Sequence, residues 1–251
     1  MVEGKVVIIT GGGRGIGFGI STAFAKERAR LVLTGRTQST LDKAKETLEK
    51  EYGAEVLVVA ANGADEEAIK NVITKTADRF GRIDCLINNA QTSASGVMLK
   101  DHTKEDFDKA IYSGLYATFF YMREAFPYLK ESAGSVINFA SGAGLAGRPG
   151  QSSYAAAKEG IRGLSRVAAT EWGPYNINVN VLCPLAMTDT LAEWKEKYPE
   201  LYAKTIQGVP MGRFADAEKD IGRVCVFLAS DDASYITGET ITLQGGSGLR
   251  P

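Results

Sequence analysis

The sequence predicts a doubly wound α/β fold, in which a parallel sheet carries helices on both faces. Two observations support this prediction. Short runs of β-branched residues alternate with longer segments of helical length along the whole chain. The strand runs are continuously apolar, as strands buried on both faces should be. Because this alternation implies parallel strands joined by right-handed crossovers, we expect a Rossmann-type sheet in a single domain over residues 1–251.

Each element of this fold has its own segment in the sequence. The segments with the composition of buried strands are 6–10, 30–34, 55–60, 83–87, 135–139, 177–182 and 240–243. The segments with helical length and pattern are 16–29, 39–52, 65–80, 104–131, 152–173 and 216–228. No linker rich in proline or serine divides the chain, which favours one domain over two.

One segment, 185–208, departs from the alternation of strand and helix. It is aromatic and helix-prone, and it lies between the sixth strand and the last helix. Ligands of doubly wound sheets bind beyond the carboxyl ends of the strands, so an insertion at this point can cover them. We therefore predict a substrate lid over about 185–208.

Composition and charge argue against several classes of function. The 29 basic and 30 acidic side chains nearly balance, which disfavours a general nucleic-acid binder. Three scattered cysteines fit a reducing compartment, and the single histidine, His102, excludes a multi-histidine metal site. No apolar run approaches the roughly 20 residues that span a bilayer. We expect a cytoplasmic protein that binds no metal, membrane or nucleic acid.

A glycine-rich turn follows the first strand. Six of the nine residues from 11 to 19 are glycines, and Gly11, Gly15 and Gly17 form the spacing GxxxGxG. Glycine permits a tight turn and lets a phosphate approach the backbone, while the helix that begins near Ile16 directs its N–H groups at that phosphate. A tight strand–helix connection alone does not require so many glycines. The turn therefore predicts a dinucleotide site.

The charge beside this turn indicates which dinucleotide is bound. NAD sites usually place an acid after the second strand, where it binds the ribose hydroxyls. Here Arg36 stands at that point, the first acid after it is Asp42, and Arg14 lies within the glycine turn. Two guanidinium groups suit a 2′-phosphate through charge-assisted contacts. We therefore expect NADP(H) as the cofactor.

A second group of residues has the chemistry of proton transfer. Tyr154 and Lys158 are four residues apart and share one face of a predicted helix. A phenol donates protons poorly at pH 7, and a neighbouring ammonium is expected to lower its pKa. Ser141 ends the fifth strand and can donate a hydrogen bond to a substrate carbonyl. We predict Ser141, Tyr154 and Lys158 as the catalytic residues.

These motifs together resemble the short-chain dehydrogenase/reductase family over nearly the whole chain. The shared parts are the glycine turn, Asn88-Asn89-Ala90, Ser141, Tyr154-xxx-Lys158 and Cys183-Pro184. The resemblance implies that a nicotinamide supplies the hydride and that the tyrosine supplies the proton. It also implies a homotetramer, because the family pairs its two long helices, here 104–131 and 152–173, across a symmetry axis.

The resemblance also implies roles for residues outside these motifs. The cofactor contacts that it implies beyond the glycine turn and the two arginines are Ile16, Asn62, Asn89, Ala90, Tyr154, Lys158, Pro184, Met187 and Thr188, with Thr190 as an alternative to Thr188. Lys158 is expected to bind the ribose in addition to lowering the pKa of Tyr154.

Several positions depart from the family pattern, and three of them concern the predicted site. Gly114 falls where the family has an asparagine, the fourth member of its catalytic set, and Gln91 falls where it has a glycine. Asn62 replaces an aspartate that holds the adenine. The family uses the backbone carbonyl of its asparagine to hold a relay water, and glycine keeps that carbonyl. We therefore expect activity from a reduced catalytic triad.

The substrate expected from the sequence is a secondary alcohol or ketone on a bulky hydrophobic molecule. Segments 88–91, 112–117 and 183–188 are similar to those of the bile-acid 12α-hydroxysteroid dehydrogenases of gut bacteria. In the lid, apolar residues recur at steps of three or four, and this face either packs on the body or covers a flat apolar ligand such as a steroid. The predicted substrate residues are Gln91, Trp194, Tyr198 and Leu201.

Two alternatives remain open at this stage. A β-ketoacyl-thioester reductase, or another ketone reductase, shares every core motif. The lid carries three lysines and three glutamates between residues 193 and 204, so it shows no basic surface for an acidic carrier protein. The second alternative is a sensor or scaffold that binds nucleotide without turnover, which the departures at Gly114, Asn62 and Gln91 suggest.

Overall fold

The computed structural model describes residues 1–248, and for Asp189 and Thr190 it describes the backbone only. Residues 249–251 of the predicted domain lie outside the described part. The strands are β1 (Val6–Thr10), β2 (Arg30–Gly35), β3 (Val56–Ala60), β4 (Cys85–Asn88), β5 (Ser135–Phe139), β6 (Asn178–Pro184) and β7 (Thr240–Leu243). Within residues 1–248 they form one sheet in the order β3-β2-β1-β4-β5-β6-β7, and each pairing is parallel. The predicted fold class is confirmed.

The chain order of the strands reverses between β1 and β4. Ile8 of β1 pairs with Val32 of β2 on one side and with Leu86 of β4 on the other. The helix that follows β2 packs on one face of the sheet, and the helices that follow β4 pack on the other face. A crevice therefore opens beyond the carboxyl ends of β1 and β4. This crevice is where the glycine turn and the Asn88-Asn89-Ala90 segment meet.

The helices cover both faces of the sheet. Their ranges are α1 (Gly15–Lys26), α2 (Gln38–Tyr52), α3 (Glu66–Phe80), α4 (Lys104–Ala110), α5 (Ala117–Ser132), α6 (Gly142–Ala146), α7 (Ser152–Trp172), α8 (Asp189–Lys197), α9 (Pro199–Gln207) and α10 (Arg223–Leu228). The predicted long helix 104–131 contains a π-helical turn at Ile111–Tyr116, between α4 and α5. A second π-helical turn, Ala217–Gly222, precedes α10.

Alternate residues of each strand enter different cores, which explains the continuous apolar runs. Val7 and Ile9 of β1 pack into the core formed with α1, α2 and α10. Val6 and Ile8 pack into the opposite core, formed with α3, α5 and α7. All four side chains are fully buried. Both faces of the strand therefore need apolar residues. Within residues 1–248, no helix is long and apolar enough to cross a bilayer.

The segment predicted as a lid consists of two short helices. The apolar residues from 191 to 202 were expected to form one helical face, but α8 ends at Lys197 and α9 begins at Pro199. Proline has no backbone N–H and its ring clashes with the preceding turn, so it is favoured in the first turn of a helix, where Pro199 begins α9. The expected continuous face is therefore divided at Tyr198.

Candidate active site

The glycine turn has a backbone that side chains would obstruct. Gly11 and Gly15 have φ angles of +67° and +52°, in the left-handed region that favours glycine. A Cβ on Gly17 would lie 2.1 Å from the carbonyl oxygen of Gly11, far inside contact distance. The N-terminus of α1 begins at Gly15, and its first turn carries no acidic side chain. The turn thus fits a phosphate group that approaches the backbone closely.

A cavity of about 970 Å³ lies in the crevice beyond β1 and β4. It is lined by most of the predicted cofactor residues: Gly11, Arg14, Gly15, Ile16, Gly17, Arg36, Asn62, Asn89, Ala90 and Thr188. Gln91, predicted to bind substrate, also lines it. Pro184 and Met187 do not contribute to this lining, and the side chain of Thr190 lies outside the described residues.

The cavity wall is electropositive. Arg14, Arg36 and Lys109 line it, and Asp108 is the only carboxylate in the lining among the described residues. Asp108 is itself paired with the ammonium of Lys104. Among the side chains that the structure describes, no carboxylate forms an ion pair with either Arg14 or Arg36, and both arginines are exposed to solvent. The wall can therefore hold an anionic ligand with more than one phosphate group.

The hydroxyl of Thr10 joins the glycine turn to the end of β4. Its Oγ1 accepts the backbone N–H groups of Asn89 at 2.9 Å and of Ala90 at 3.0 Å. The side-chain amide of Asn89 donates back to the Thr10 carbonyl at 2.9 Å. Sequence reasoning did not single out Thr10, although it begins the glycine motif. This reciprocal set of bonds fixes one wall of the cavity.

Asn88 has a structural role, as its place at the end of a buried strand suggested. Its side-chain amide donates to Oδ1 of Asn138 at 2.8 Å. The amide of Asn138 in turn donates to Ser165 Oγ at 2.8 Å, which ties β4 and β5 to α7. The three side chains are buried, and the network aligns the strand ends beside the cavity.

The three predicted catalytic residues are brought together where β5, α6 and α7 meet. Ser141 precedes α6, and its Oγ accepts the N–H of Ala143 at 3.1 Å. Lys158 is buried, and its Nζ donates to the Phe139 carbonyl at 2.6 Å. The same Nζ lies 5.5 Å from the centre of the Tyr154 ring. None of the three contributes to the lining of the 970 Å³ cavity, so they form a separate cluster.

The pKa of Tyr154 does not follow the expectation from sequence. The ammonium of Lys158 was expected to lower it, but burial raises the pKa of Tyr154, and a hydrogen bond with Ser141 only partly offsets this effect. Burial also lowers the pKa of Lys158 to about 7. At neutral pH Lys158 is therefore only partly charged, which weakens the ammonium effect that the spacing of four residues suggested.

Within the lid segment, Thr188 lines the cavity, whereas the predicted substrate residues Trp194, Tyr198 and Leu201 do not. The ring centres of Trp194 and Tyr202 are 6.3 Å apart, and Tyr202 meets the buried Phe214 at 5.7 Å, both edge to face. Tyr198 and Leu201 are 42% and 54% exposed. Of the predicted substrate residues, the structure thus brings only Gln91 to the cavity.

His102 contacts the start of α7, next to the predicted catalytic residues. Its polar neighbours in the sequence, from Lys100 to Thr103, indicate a solvated residue or a helix cap. In the structure it is half-buried, with Nε2 2.9 Å from Ser153 Oγ and Nδ1 3.3 Å from Ser152 Oγ. These serines immediately precede Tyr154 at the start of α7. No periodic or motif signal in the sequence connects residues 102 and 153.

Comparison with known proteins gives matches along the whole chain. Residues 11–247 match a family model described as enoyl-(acyl carrier protein) reductase. The chain is 63% identical over 255 residues to a 12alpha-hydroxysteroid dehydrogenase of Clostridium sp., covering 99% of this chain and 98% of that protein. It is 35% identical over 247 residues to a 3-oxoacyl-(acyl-carrier-protein) reductase of Thermotoga maritima, covering 98% of each.

Solved structures show the same architecture. Levodione reductase superposes with a TM-score of 0.92 at 34% identity over 99% of both chains. An NAD⁺-bound xylitol dehydrogenase gives a TM-score of 0.90 at 27% identity, over 97% of this chain and 99% of that chain. An NADPH-dependent reductase of bacilysin biosynthesis gives 0.92 at 25% identity, over 99% and 100%. With this fold, glycine turn and sequence similarity, the chain belongs to the short-chain dehydrogenase/reductase family of nicotinamide-dependent oxidoreductases.

Proposed function

We propose that this protein is an NADP(H)-dependent hydroxysteroid dehydrogenase that interconverts a secondary alcohol and a ketone on a steroid or bile acid. The observation that carries the proposal is the 63% identity, over 99% of the chain, to a 12alpha-hydroxysteroid dehydrogenase. Substrates vary widely on this fold, so the length and level of the similarity matter more than the fold itself.

In the proposed mechanism, Tyr154 exchanges a proton with the substrate oxygen. A bound nicotinamide would supply or accept the hydride at the substrate carbon. In the direction of reduction, the Tyr154 hydroxyl donates its proton to the carbonyl oxygen, and Ser141 Oγ donates a hydrogen bond to that same oxygen. Lys158, 5.5 Å from the tyrosine ring, stabilises the phenolate when it is protonated. In this scheme Lys158 also binds the cofactor ribose.

Preference for the phosphorylated cofactor is supported by charge at the cavity wall. Arg14 and Arg36 line the cavity on the side of the glycine turn and of β2. Thr37 and Thr40 line the same part of the wall and can add hydroxyl contacts. A 2′-phosphate would receive charge-assisted hydrogen bonds from the two guanidinium groups. A ribose without this phosphate would not meet the acid that NAD sites usually place after the second strand, because Arg36 stands there.

Binding of an apolar substrate is supported by the lid. Trp194 lies on α8, Tyr198 lies between the two helices and Leu201 lies on α9, and both Tyr198 and Leu201 are exposed. An exposed apolar surface of this kind often marks a place where another molecule binds. Movement of the lid toward the catalytic cluster would place this surface against a steroid. Ser141 and Tyr154 hold only one oxygen, so most of the affinity would come from apolar contact.

A homotetramer is supported by an apolar groove between α5 and α7. The groove has a volume of about 260 Å³, and Phe119, Phe126 and Trp172 are among the residues that line it. Phe119 and Val167 in this groove are 37% and 54% exposed. Two copies that pack these helices against each other would remove this surface from water.

Two other functions make different predictions. A β-ketoacyl-thioester reductase is favoured by the 35% identity to the Thermotoga maritima enzyme. It is disfavoured by the lid, because Lys195 and Lys197 lie over the rings of Tyr202 and Tyr198 and are balanced by nearby glutamates. A nucleotide-binding sensor would bind NADPH and turn over no ketone.

The test is consumption of NADPH, followed at 340 nm, with a panel of oxidised bile acids, acetoacetyl thioesters and small ketones. We expect turnover that is highest with a bile-acid ketone and that is lost in Tyr154→Phe. The matched control is Tyr235→Phe, which removes a hydroxyl from a fully exposed ring and should leave turnover unchanged. Preference for the thioester would favour the reductase alternative. NADPH binding without turnover of any ketone would contradict the enzyme proposal.

A further inference from the structure

Gln91 and Gly114 lie against each other at the wall of the ligand cavity. Gln91 directly follows the segment that Thr10 holds at the end of β4, and Gly114 lies in the π-helical turn between α4 and α5. A Cβ on Gly114 would lie 2.7 Å from Cδ, 2.9 Å from Nε2 and 3.0 Å from Oε1 of Gln91. The carboxamide therefore occupies the space that any side chain at position 114 would take.

The backbone beside Gln91 is clamped to the same turn. Ser113 Oγ accepts the N–H of Thr92 at 3.1 Å. The Ser113 hydroxyl proton is shared between the carbonyls of Thr92 at 2.8 Å and Lys109 at 2.6 Å. Because these bonds hold Thr92 on Ser113, they also hold the preceding residue over Gly114.

The carboxamide of Gln91 is buried at a cost that the protein itself does not offset. Neither Nε2 nor Oε1 has a hydrogen-bond partner among the described backbone and side-chain atoms. A buried amide without a partner loses its bonds to water, whereas an apolar side chain of the same size would not. Gln91 is one of the residues that line the cavity. A hydrogen-bond partner that enters from the cavity would therefore explain why this position carries a polar side chain.

We propose that the Gln91 carboxamide is a hydrogen-bonding group of the ligand site, and that its partner is a hydroxyl carried either by an ordered water molecule or by the bound ligand. The last torsion of glutamine is soft, and Gly114 presents no Cβ, so the amide can turn on this glycine toward the cavity. The Gln91 amide therefore fits in this place only because residue 114 is a glycine. The inference rests on the proposed function only in taking the cavity as the cofactor and substrate site.

Two variants separate the polarity of Gln91 from its position. Gln91→Met keeps the length and shape of an unbranched side chain and removes its hydrogen bonds. Gly114→Ala keeps the amide, but its new Cβ displaces the end of the Gln91 side chain. The matched control is Asn71→Leu, which removes a carboxamide from the exposed face of α3. Each protein is tested for its melting temperature and its affinities for NADPH and for an oxidised bile acid, by fluorescence and calorimetric titration. The pH profile of kcat is measured on the same proteins.

We expect Gln91→Met to melt at a higher temperature than the wild type without ligand, because a buried polar group is gone. The same variant should lose about five- to a hundredfold in one ligand-dependent quantity. A loss of NADPH affinity assigns the hydroxyl to the cofactor, and a loss of bile-acid affinity assigns it to the substrate. A lower kcat with a shifted pH profile at unchanged affinities assigns it to a water molecule on the proton path. Gly114→Ala should reduce the same quantity.

The proposal is overturned if Gln91→Met equals the wild type in both affinities, in kcat and in its pH profile. It is also overturned if Asn71→Leu causes the same loss as Gln91→Met. The NADPH titration and the melting curves need no turnover. Failure of the steroid assignment would therefore appear in the wild-type assay and remain distinguishable from failure of this proposal.

Discussion

The buried amine of Lys158 makes a prediction about stability that needs no ligand. Lys158 lies beneath Tyr154 on α7, only 4% exposed, with its Nζ 2.6 Å from the Phe139 carbonyl. Burial lowers the pKa of Lys158 from 10.5 to about 7. Between pH 7 and pH 10.5, the unfolded chain binds a proton at Lys158 that the folded protein has already released. The free energy of unfolding therefore rises with pH across this window.

The size of the effect follows from the two pKa values. Each unit of difference corresponds to about 1.4 kcal/mol, so the slope approaches about 1.4 kcal/mol per pH unit in the middle of the window. Between pH 7.5 and 9.5 the wild type should gain about 2.5 kcal/mol relative to Lys158→Met, which has no amine to titrate. Loss of the bond to Phe139 displaces the whole curve of the variant and does not change its slope.

The assay is urea unfolding of cofactor-free protein at pH 7.5, 8.5 and 9.5, for the wild type, Lys158→Met and Lys43→Met. Lys43 is exposed on α2, so removal of its charge should leave the slope unchanged. Subtraction of the variant curve removes the titration of groups that do not interact with Lys158. If the wild type and Lys158→Met give parallel curves over this range, the amine of Lys158 is not held at a lowered pKa and the argument fails.

Four further outcomes are expected. Arg36→Asp should move preference from NADPH toward NADH by about tenfold to a hundredfold in kcat/KM, since charge-assisted contacts contribute about 1.5–3 kcal/mol; an unchanged ratio would contradict the cofactor assignment. Gly17→Ala should weaken NADPH binding more than about tenfold because its Cβ overlaps the Gly11 carbonyl, whereas Gly163→Ala, into open space, should not. Trp194→Ala should lower kcat/KM for a steroid ketone by about tenfold or more and spare a small ketone; an equal fall for both would mean that the ring only anchors the lid. Light scattering at micromolar concentration should give a tetramer, and a monomer would refute the proposed packing of α5 and α7.

Local patterns were sufficient to predict most of the helices and strands and the glycine turn. A strand buried on both faces requires unbroken apolar residues, and 6–10 and 135–139 were predicted with the bounds that the structure shows. The glycines at 11, 15 and 17 are required by the backbone itself, through positive φ angles and a contact that excludes Cβ. Such requirements act on single residues or on neighbours in sequence, so they can be recognised without a structure.

Two expectations were wrong: the continuous helical face of the lid and the direction of the Tyr154 pKa shift. Pro199 was visible in the sequence, and the expected lid face is divided there because proline favours the first turn of a new helix. The direction of the Tyr154 pKa shift depends on burial, which the spacing to Lys158 does not report. That spacing correctly placed the two side chains together but left the dielectric environment undetermined.

The sequence by itself determined the parallel α/β architecture and the glycine turn, and it predicted Ser141, Tyr154 and Lys158 as one group, which the structure brings together. Only the tertiary structure decided which distant residues meet: Thr10 with the end of β4, His102 with Ser153, and Gln91 with Gly114. The physical reason is that periodicity and backbone requirements are local properties of the chain. Contacts between residues that are far apart in sequence, and the burial that sets their pKa values, exist only once the sheet has brought separate strand ends to one edge.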